Sequence, residues 1–224
     1  MGIVQEKSNV ANQLWIRLTG AKGQKDMYLC SAYLPQKSAP AVQGSDAFKT
    51  LSKSTRTHIA NGGEVVILGD LNSKTGSARG AEEQRALGAH CEPGARSGNG
   101  KLLLELLKTE GLVSLGGQAP PPASVPEAAE SGFWWTRLDK SIQNRHTLDY
   151  VLVTSSLLDA QARCWVDYTD LNSDHRLIGA DIRCPREERE ATAFQNCWHD
   201  PEIIQQGGRR SCPAGAGPIP SVFG

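Results

Sequence analysis

No apolar stretch of the chain approaches the ~20 residues needed to span a bilayer. The opening residues, Met1-Gly2-Ile3-Val4-Gln5-Glu6-Lys7, lack the apolar core of a secretion signal. Net charge is missing as well, since 24 Lys+Arg balance 24 Asp+Glu. That balance provides no global field to draw the chain to nucleic acid or to an anionic membrane. The cysteines Cys30, Cys91, Cys164, Cys184, Cys197 and Cys212 are far apart and include no CxxC pair. A disulfide framework and a zinc site are therefore not expected, and Cys197 with His199 does not make a tetrahedral site. These absences predict an intracellular protein, nuclear or cytoplasmic, with no membrane contact; they say nothing about oligomeric state.

What is present suits a globular protein. With 224 residues, 39% hydrophobic and 21% charged, the chain is long enough to bury a core. Charge is uneven: residues 1–60 hold Lys7, Arg17, Lys22, Lys25, Lys37, Lys49, Lys53 and Arg56 against Glu6, Asp26 and Asp46. Either a local basic face or an ordinary solvated surface accounts for this. After Cys184 the composition turns polar (Arg186-Glu187-Glu188-Arg189-Glu190), and 207–224 is rich in Gly, Pro and Ser. Residues 1–184 read as one domain and 185–224 as a low-complexity, disordered tail.

Leu14 to Leu18 alternates weakly, a Gly-rich turn follows, and Met27 to Leu34 reads as a returning strand stopped by Pro35. A helix is expected over 45–60, capped by Asp46 and ended by Asn61-Gly62-Gly63. Glu64 to Gly69 is an apolar β-branched run too short for a helix, hence a buried central strand. Residues 73–100 read as a long loop, 101–110 as a Leu-striped helix, and 112–115 as a short strand. Proline excludes regular core structure from 116–132. Strands are expected at 133–137, 147–153, 162–168 and 177–183. Strands separated by helices, with late hairpins, imply an α/β layered fold with a mixed sheet.

Three short motifs carry chemistry. Leu68-Gly69-Asp70-Leu71-Asn72 follows the most buried strand, at the end where open α/β sheets place their sites. Asp70 offers an anionic oxygen for Mg²⁺ or a base for water, and Asn72 a neutral donor; a plain turn is the alternative. Ser173-Asp174-His175 precedes an apolar strand, so the acid can bind metal while the imidazole meets substrate; otherwise it is a solvated loop. Asp149 interrupts the apolar strand Thr147 to Val153 and should have a partner, an imidazole by preference, unless it faces water at a strand edge.

Taken in order, GDLN, LDYVLV and SDHRLI, with Tyr33-Leu34-Pro35 upstream, resemble the endonuclease/exonuclease/phosphatase superfamily. The nearest resemblance is to endonuclease domains of non-LTR retrotransposons and their craniofacial-development-protein-like relatives. Trp15-Ile16-Arg17-Leu18, Asn99-Gly100-Lys101-Leu102-Leu103 and Trp135-Thr136-Arg137 support it, over roughly residues 14–183. The resemblance implies a deoxyribonuclease-like four-layer αββα sandwich and hydrolysis of DNA phosphodiesters with Mg²⁺ or Mn²⁺. It implies that Tyr33 contacts the scissile phosphate, Asp70 activates water and Asn72 holds the phosphate. It further implies that Asp149 orients His175, that His175 stabilises the developing charge, and that Asp174 and Asp70 serve the metal. The family's first strands supply an Asn and a metal-holding Glu that find no counterpart here; Glu6 reads as a surface residue. Gln36 also stands where many nuclease members have Asn. The expectation is a sandwich incomplete at its N-terminus, with impaired activity. A phosphatase or deadenylase-like relative and a non-catalytic remnant or binding module remain as alternatives.

Other signals carry less. Gly94 to Leu102 misses a phosphate-binding loop, with Ala95 for a required Gly and Leu102 for Ser/Thr. His90-Cys91 lacks an orienting acid. His146 reads as a solvated loop histidine that could touch a phosphate, and Trp134, Trp135 and Trp165 as core or sheet residues.

Overall fold

The computed structural model describes residues 3–5, 12–36, 41–159, 162–169 and 172–182. In chain order the elements begin with strands β1 (Ile3–Gln5), β2 (Gln13–Leu18) and β3 (Met27–Ala32), helix α1 (Ala41–Ala60) and strand β4 (Glu64–Asp70). Helices α2 (Gly80–Leu87) and α3 (Gly98–Glu110) follow, then β5 (Leu112–Ser114), a 3-10 turn and helix α4 (Pro126–Ser131). The last elements are β6 (Arg137–Asp139), β7 (Asn144–His146), β8 (Asp149–Thr154), α5 (Ser156–Asp159), β9 (Arg163–Asp167) and β10 (Leu177–Asp181).

Six strands form one mixed sheet in the order β1-β2-β3-β4-β8-β5, with β3 and β4 parallel and the other pairs antiparallel. Alternation along the central strands sends side chains to two cores. Val65 and Ile67 of β4, with Tyr150 and Leu152 of β8, meet Phe48, Leu51, Leu87, Leu103 and Leu107 from α1, α2 and α3. Val66, Val151 and Val153 point the other way, onto Ile178 and Ala180 of the separate β9–β10 sheet. This is the α/β, deoxyribonuclease-like arrangement that the motif order implied: a helical layer, a six-stranded sheet and a second small sheet. Val65, Val66 and Ile67 of β4 are buried, with side chains sent to both faces of the sheet, as the run of β-branched residues predicted.

Several boundaries differ from the sequence reading. α1 starts at Ala41 and runs through Asp46. Asp46 is therefore no cap; it is exposed inside the helix, 3.6 Å from Lys49 one turn on. The stretch 73–100 is not one long loop. It contains α2, whose Ala, Glu, Gln, Arg and Leu are good helix formers hidden between glycines, and the first turn of α3. Residues 116–132 include α4, which Pro126 begins rather than breaks, because a first-turn N–H has no helical partner to lose. The aromatic run Phe133-Trp134-Trp135 is buried but precedes β6 instead of forming it. β1 was not anticipated; it pairs Ile3 with Leu18 and Gln5 with Ile16. The expected tail 185–224, the pair Cys197 and His199, and Glu6 lie outside the described residues. Among the described residues no helix is long and apolar enough to cross a membrane.

Candidate active site

The site begins with a glycine. Gly69 has φ +142°, and a Cβ placed there would sit 1.9 Å from the carbonyl oxygen of Ala32. Only glycine lets β3 and β4 approach this closely at their carboxyl ends. Beyond it, the N–H of Leu34 donates to the Asp70 carbonyl (2.8 Å) and that of Leu71 to Leu148 (2.9 Å). Asp70 is thus fixed on both sides at the sheet's rim.

Asp70 faces Asp149 directly across the β4–β8 ladder. Opposed residues in an antiparallel pair share a face, so two carboxylates are forced together. Asp149 is buried, and the Thr136 hydroxyl accepts the N–H groups of both Leu148 and Asp149 at 3.0 Å. Its Oδ2 lies 2.9 Å from Nδ1 of His175. A carboxylate can only accept, so Nδ1 carries the proton of this bond and Nε2 is left for another partner. Asp70, Asp149 and His175 form a trio with ligand atoms all within 4.8 Å of one another. Burial pushes the Asp70 carboxyl above the usual range; the Asn72 N–H pulls it down and the Asp149 charge pushes it up again.

The remaining predicted residues are placed differently. Asn72 has φ +46° and uses its amide on the protein itself, donating to the Leu34 carbonyl (2.9 Å) and Asp70 Oδ2 (3.2 Å). Its Oδ1 accepts from Gln36 (3.1 Å). Both amide hydrogens are thereby engaged, so in this structure Asn72 clasps the loop and shapes Asp70. Tyr33 stands 52% exposed between β3 and Leu34, near the trio's rim but outside the trio. Asp174 is also outside it: Nε of Arg137 lies 2.8 Å from its Oδ2 and holds its carboxyl below the usual range. The group that converges, and that could hold a cation, is therefore Asp70 with Asp149 and His175, where the sequence suggested Asp70 with Asp174. The physical reason is the ladder, which opposes Asp70 to Asp149 while Arg137 takes up Asp174.

Three neighbours of the site, Arg137, Glu92 and Lys74, escaped the sequence reading, and a fourth, His146, was read differently. Arg137 pairs with His175 across an isolated antiparallel bridge and bonds Asp174. Glu92 accepts from His146 Nδ1 and from the N–H of Thr147, both at 2.9 Å. His146 Nε2 in turn lies 2.9 Å from Nζ of Lys74. His146 is consequently a strand residue with a side chain only 17% exposed, not a solvated loop histidine. Lys74 and Arg137 do adjoin the GDLN and WT motifs, but their pairing depends on contacts 37 to 72 residues apart that no local pattern encodes.

The trio suits a small hard cation. It offers two carboxylates in enforced proximity, one of them resisting ionisation, and a divalent ion between them would relieve both burial and repulsion. Comparison with known proteins gives the same frame. The family model described as endonuclease-reverse transcriptase matches residues 27–179. The chain is similar in structure to the endonuclease domain of TRAS1, a telomere-specific non-LTR retrotransposon: 17% identity, TM-score 0.50, covering 81% of this chain and 67% of that one. It is similar to the 3'-5' exonuclease NExo from Neisseria meningitidis at 18% identity and TM-score 0.54, covering 80% of this chain and 70% of that one. It also matches the catalytic domain of APE2 from Xenopus laevis at 16% identity and TM-score 0.51, covering 77% of this chain and 55% of that one. The chain thus spans between about half and about two thirds of these proteins. No curated protein sequence matches it.

Proposed function

The chain belongs to the endonuclease-reverse transcriptase family, within a superfamily of metal-dependent nucleases and phosphoesterases, and on that premise we propose that it hydrolyses DNA phosphodiesters with Mg²⁺ or Mn²⁺. The observation that carries this reading is the convergence of Asp70, Asp149 and His175 from three distant stretches of chain. In the proposal Asp70 orients the attacking water and takes its proton. Asp149 holds the ring through its Nδ1–H, and the imidazolium form, which carries a second N–H at Nε2, donates from Nε2 to a phosphoryl oxygen as negative charge gathers there. Asn72 positions Asp70, and Tyr33, whose side chain is exposed, is assigned the contact to the substrate phosphate. A cation held by Asp70 and Asp149 would supply charge neutralisation for the phosphoryl oxygens. Two carboxylates bind such an ion weakly, so turnover is expected to be slow.

Nicking of supercoiled plasmid DNA with Mg²⁺ or Mn²⁺ tests this. His175→Ala should lower the rate by about 10²-fold or more, with circular dichroism establishing that the variant is folded. Equal nicking by wild type and His175→Ala would refute the assignment.

A further inference from the structure

The proposed hydrolytic site does not account for Lys74. This ammonium is half-buried, its Nζ lies 2.9 Å from an imidazole nitrogen, and among the described residues it forms no ion pair. An ammonium has donors only, so His146 Nε2 accepts from it while Nδ1 donates to Glu92. Such a chain aims and holds the lysine without an ion pair, since Glu92, at the far end of the chain, bonds His146 and Thr147.

The location of this group follows from strand pairing. Arg137 is opposed to His146 on one side, in the β6–β7 hairpin, and to His175 on the other. Directly opposed residues share a face, so His175, Arg137 and His146 form a row, with Lys74 at its end. Two strand spacings separate the backbones at His175 and His146, roughly 10 Å. That is too far for one phosphate to reach both imidazoles through hydrogen bonds of about 3 Å.

We propose that Lys74, held by His146 and Glu92, binds a non-scissile phosphate of a polynucleotide whose scissile phosphate lies at Asp70, Asp149 and His175. This rests on the hydrolytic reading above and deepens it. The substrate class becomes an extended phosphodiester chain, because a small phosphate ester could occupy only one end of the row. Lys74 is a binding residue, and His146 and Glu92 position it. Arg137, beside His175 and tied to Asp174, stands between the two phosphate sites.

The test measures binding without turnover: anisotropy of a fluorescein-labelled duplex DNA oligonucleotide in EDTA, from about 50 to 200 mM salt. Lys74→Met should reduce the slope of log affinity against log salt by about 1. Lys74→Arg should retain the wild-type slope, as should Lys101→Met, which removes an exposed lysine from α3. Circular dichroism melts establish that the variants are folded. Identical slopes for wild type and Lys74→Met, or equal losses in Lys74→Met and Lys101→Met, would overturn the proposal. Hydrolysis of bis(p-nitrophenyl) phosphate by the wild type reports on the trio separately. An inert wild type with a Lys74-dependent slope refutes the hydrolytic reading alone; an active wild type with no such dependence refutes the row alone.

Discussion

Gly69 decides whether β3 and β4 can bring Tyr33, Asp70 and Asn72 to the same rim. A side chain there would meet the Ala32 carbonyl at 1.9 Å in a region of backbone space that L-residues rarely enter. Gly69→Ala should therefore destabilise the protein by about 3–5 kcal/mol, readable as a lowered urea midpoint; a change below about 1 kcal/mol would show that the strands can part at little cost. The same scale shows what a motif conveys. Asp70 and Asn72 were visible as chemistry-bearing residues, yet whether Asn72 faces substrate or its own loop depended on Leu34 and Gln36, which contact it in space. Asp149 was identifiable because a carboxylate in an apolar strand needs a partner, and His175 is that partner.

Among the elements, α3 and the segment before it illustrate how loops are fixed. Ser97 caps α3: its Oγ accepts from the Gly100 N–H (3.0 Å) and also from the Lys74 N–H (3.1 Å). Ser97→Ala should cost about 1–2 kcal/mol in a thermal melt, because two backbone donors lose one acceptor. α2 is held by Glu83, which accepts from Arg96 Nη1 and Nη2 at 3.1 and 2.7 Å while Arg96 Nε donates to the Thr75 carbonyl. Arg96 lowers the Glu83 carboxyl from 4.5 to about 2. The folded state thus binds that proton less tightly than the unfolded chain does. Its stabilisation is present above about pH 4.5 and lost as the pH falls toward about 2. Glu83→Gln should remove this acid-sensitive part, flattening the stability curve across that window; an unchanged curve would show that Glu83 does not contribute. Helix α2 went unrecognised in the sequence because eight residues between glycines carry too little apolar periodicity, and its stability comes from packing Ala86 and Leu87 on the sheet.

For the whole molecule, the consequential fact is that residues 70, 149 and 175 meet although they are up to 105 positions apart, a difference read directly from their numbers. A cation that binds only this assembled geometry stabilises the fold by mass action. At about ten times its Kd the gain is about 1.4 kcal/mol, visible as a rise in melting temperature with Mg²⁺ or Mn²⁺. Asp70→Asn should abolish the rise, and a rise of equal size in that variant would place the ion elsewhere.

By itself the sequence determined the layered α/β class, the central strand β4 and the acids and imidazole worth watching, because period, burial and turn chemistry are local properties of the chain. Only the tertiary structure decided that Asp70 joins Asp149, that Arg137 withdraws Asp174, and that Lys74 leans on His146. Those outcomes depend on strand register, and a register shifted by one residue would turn each side chain to the opposite face.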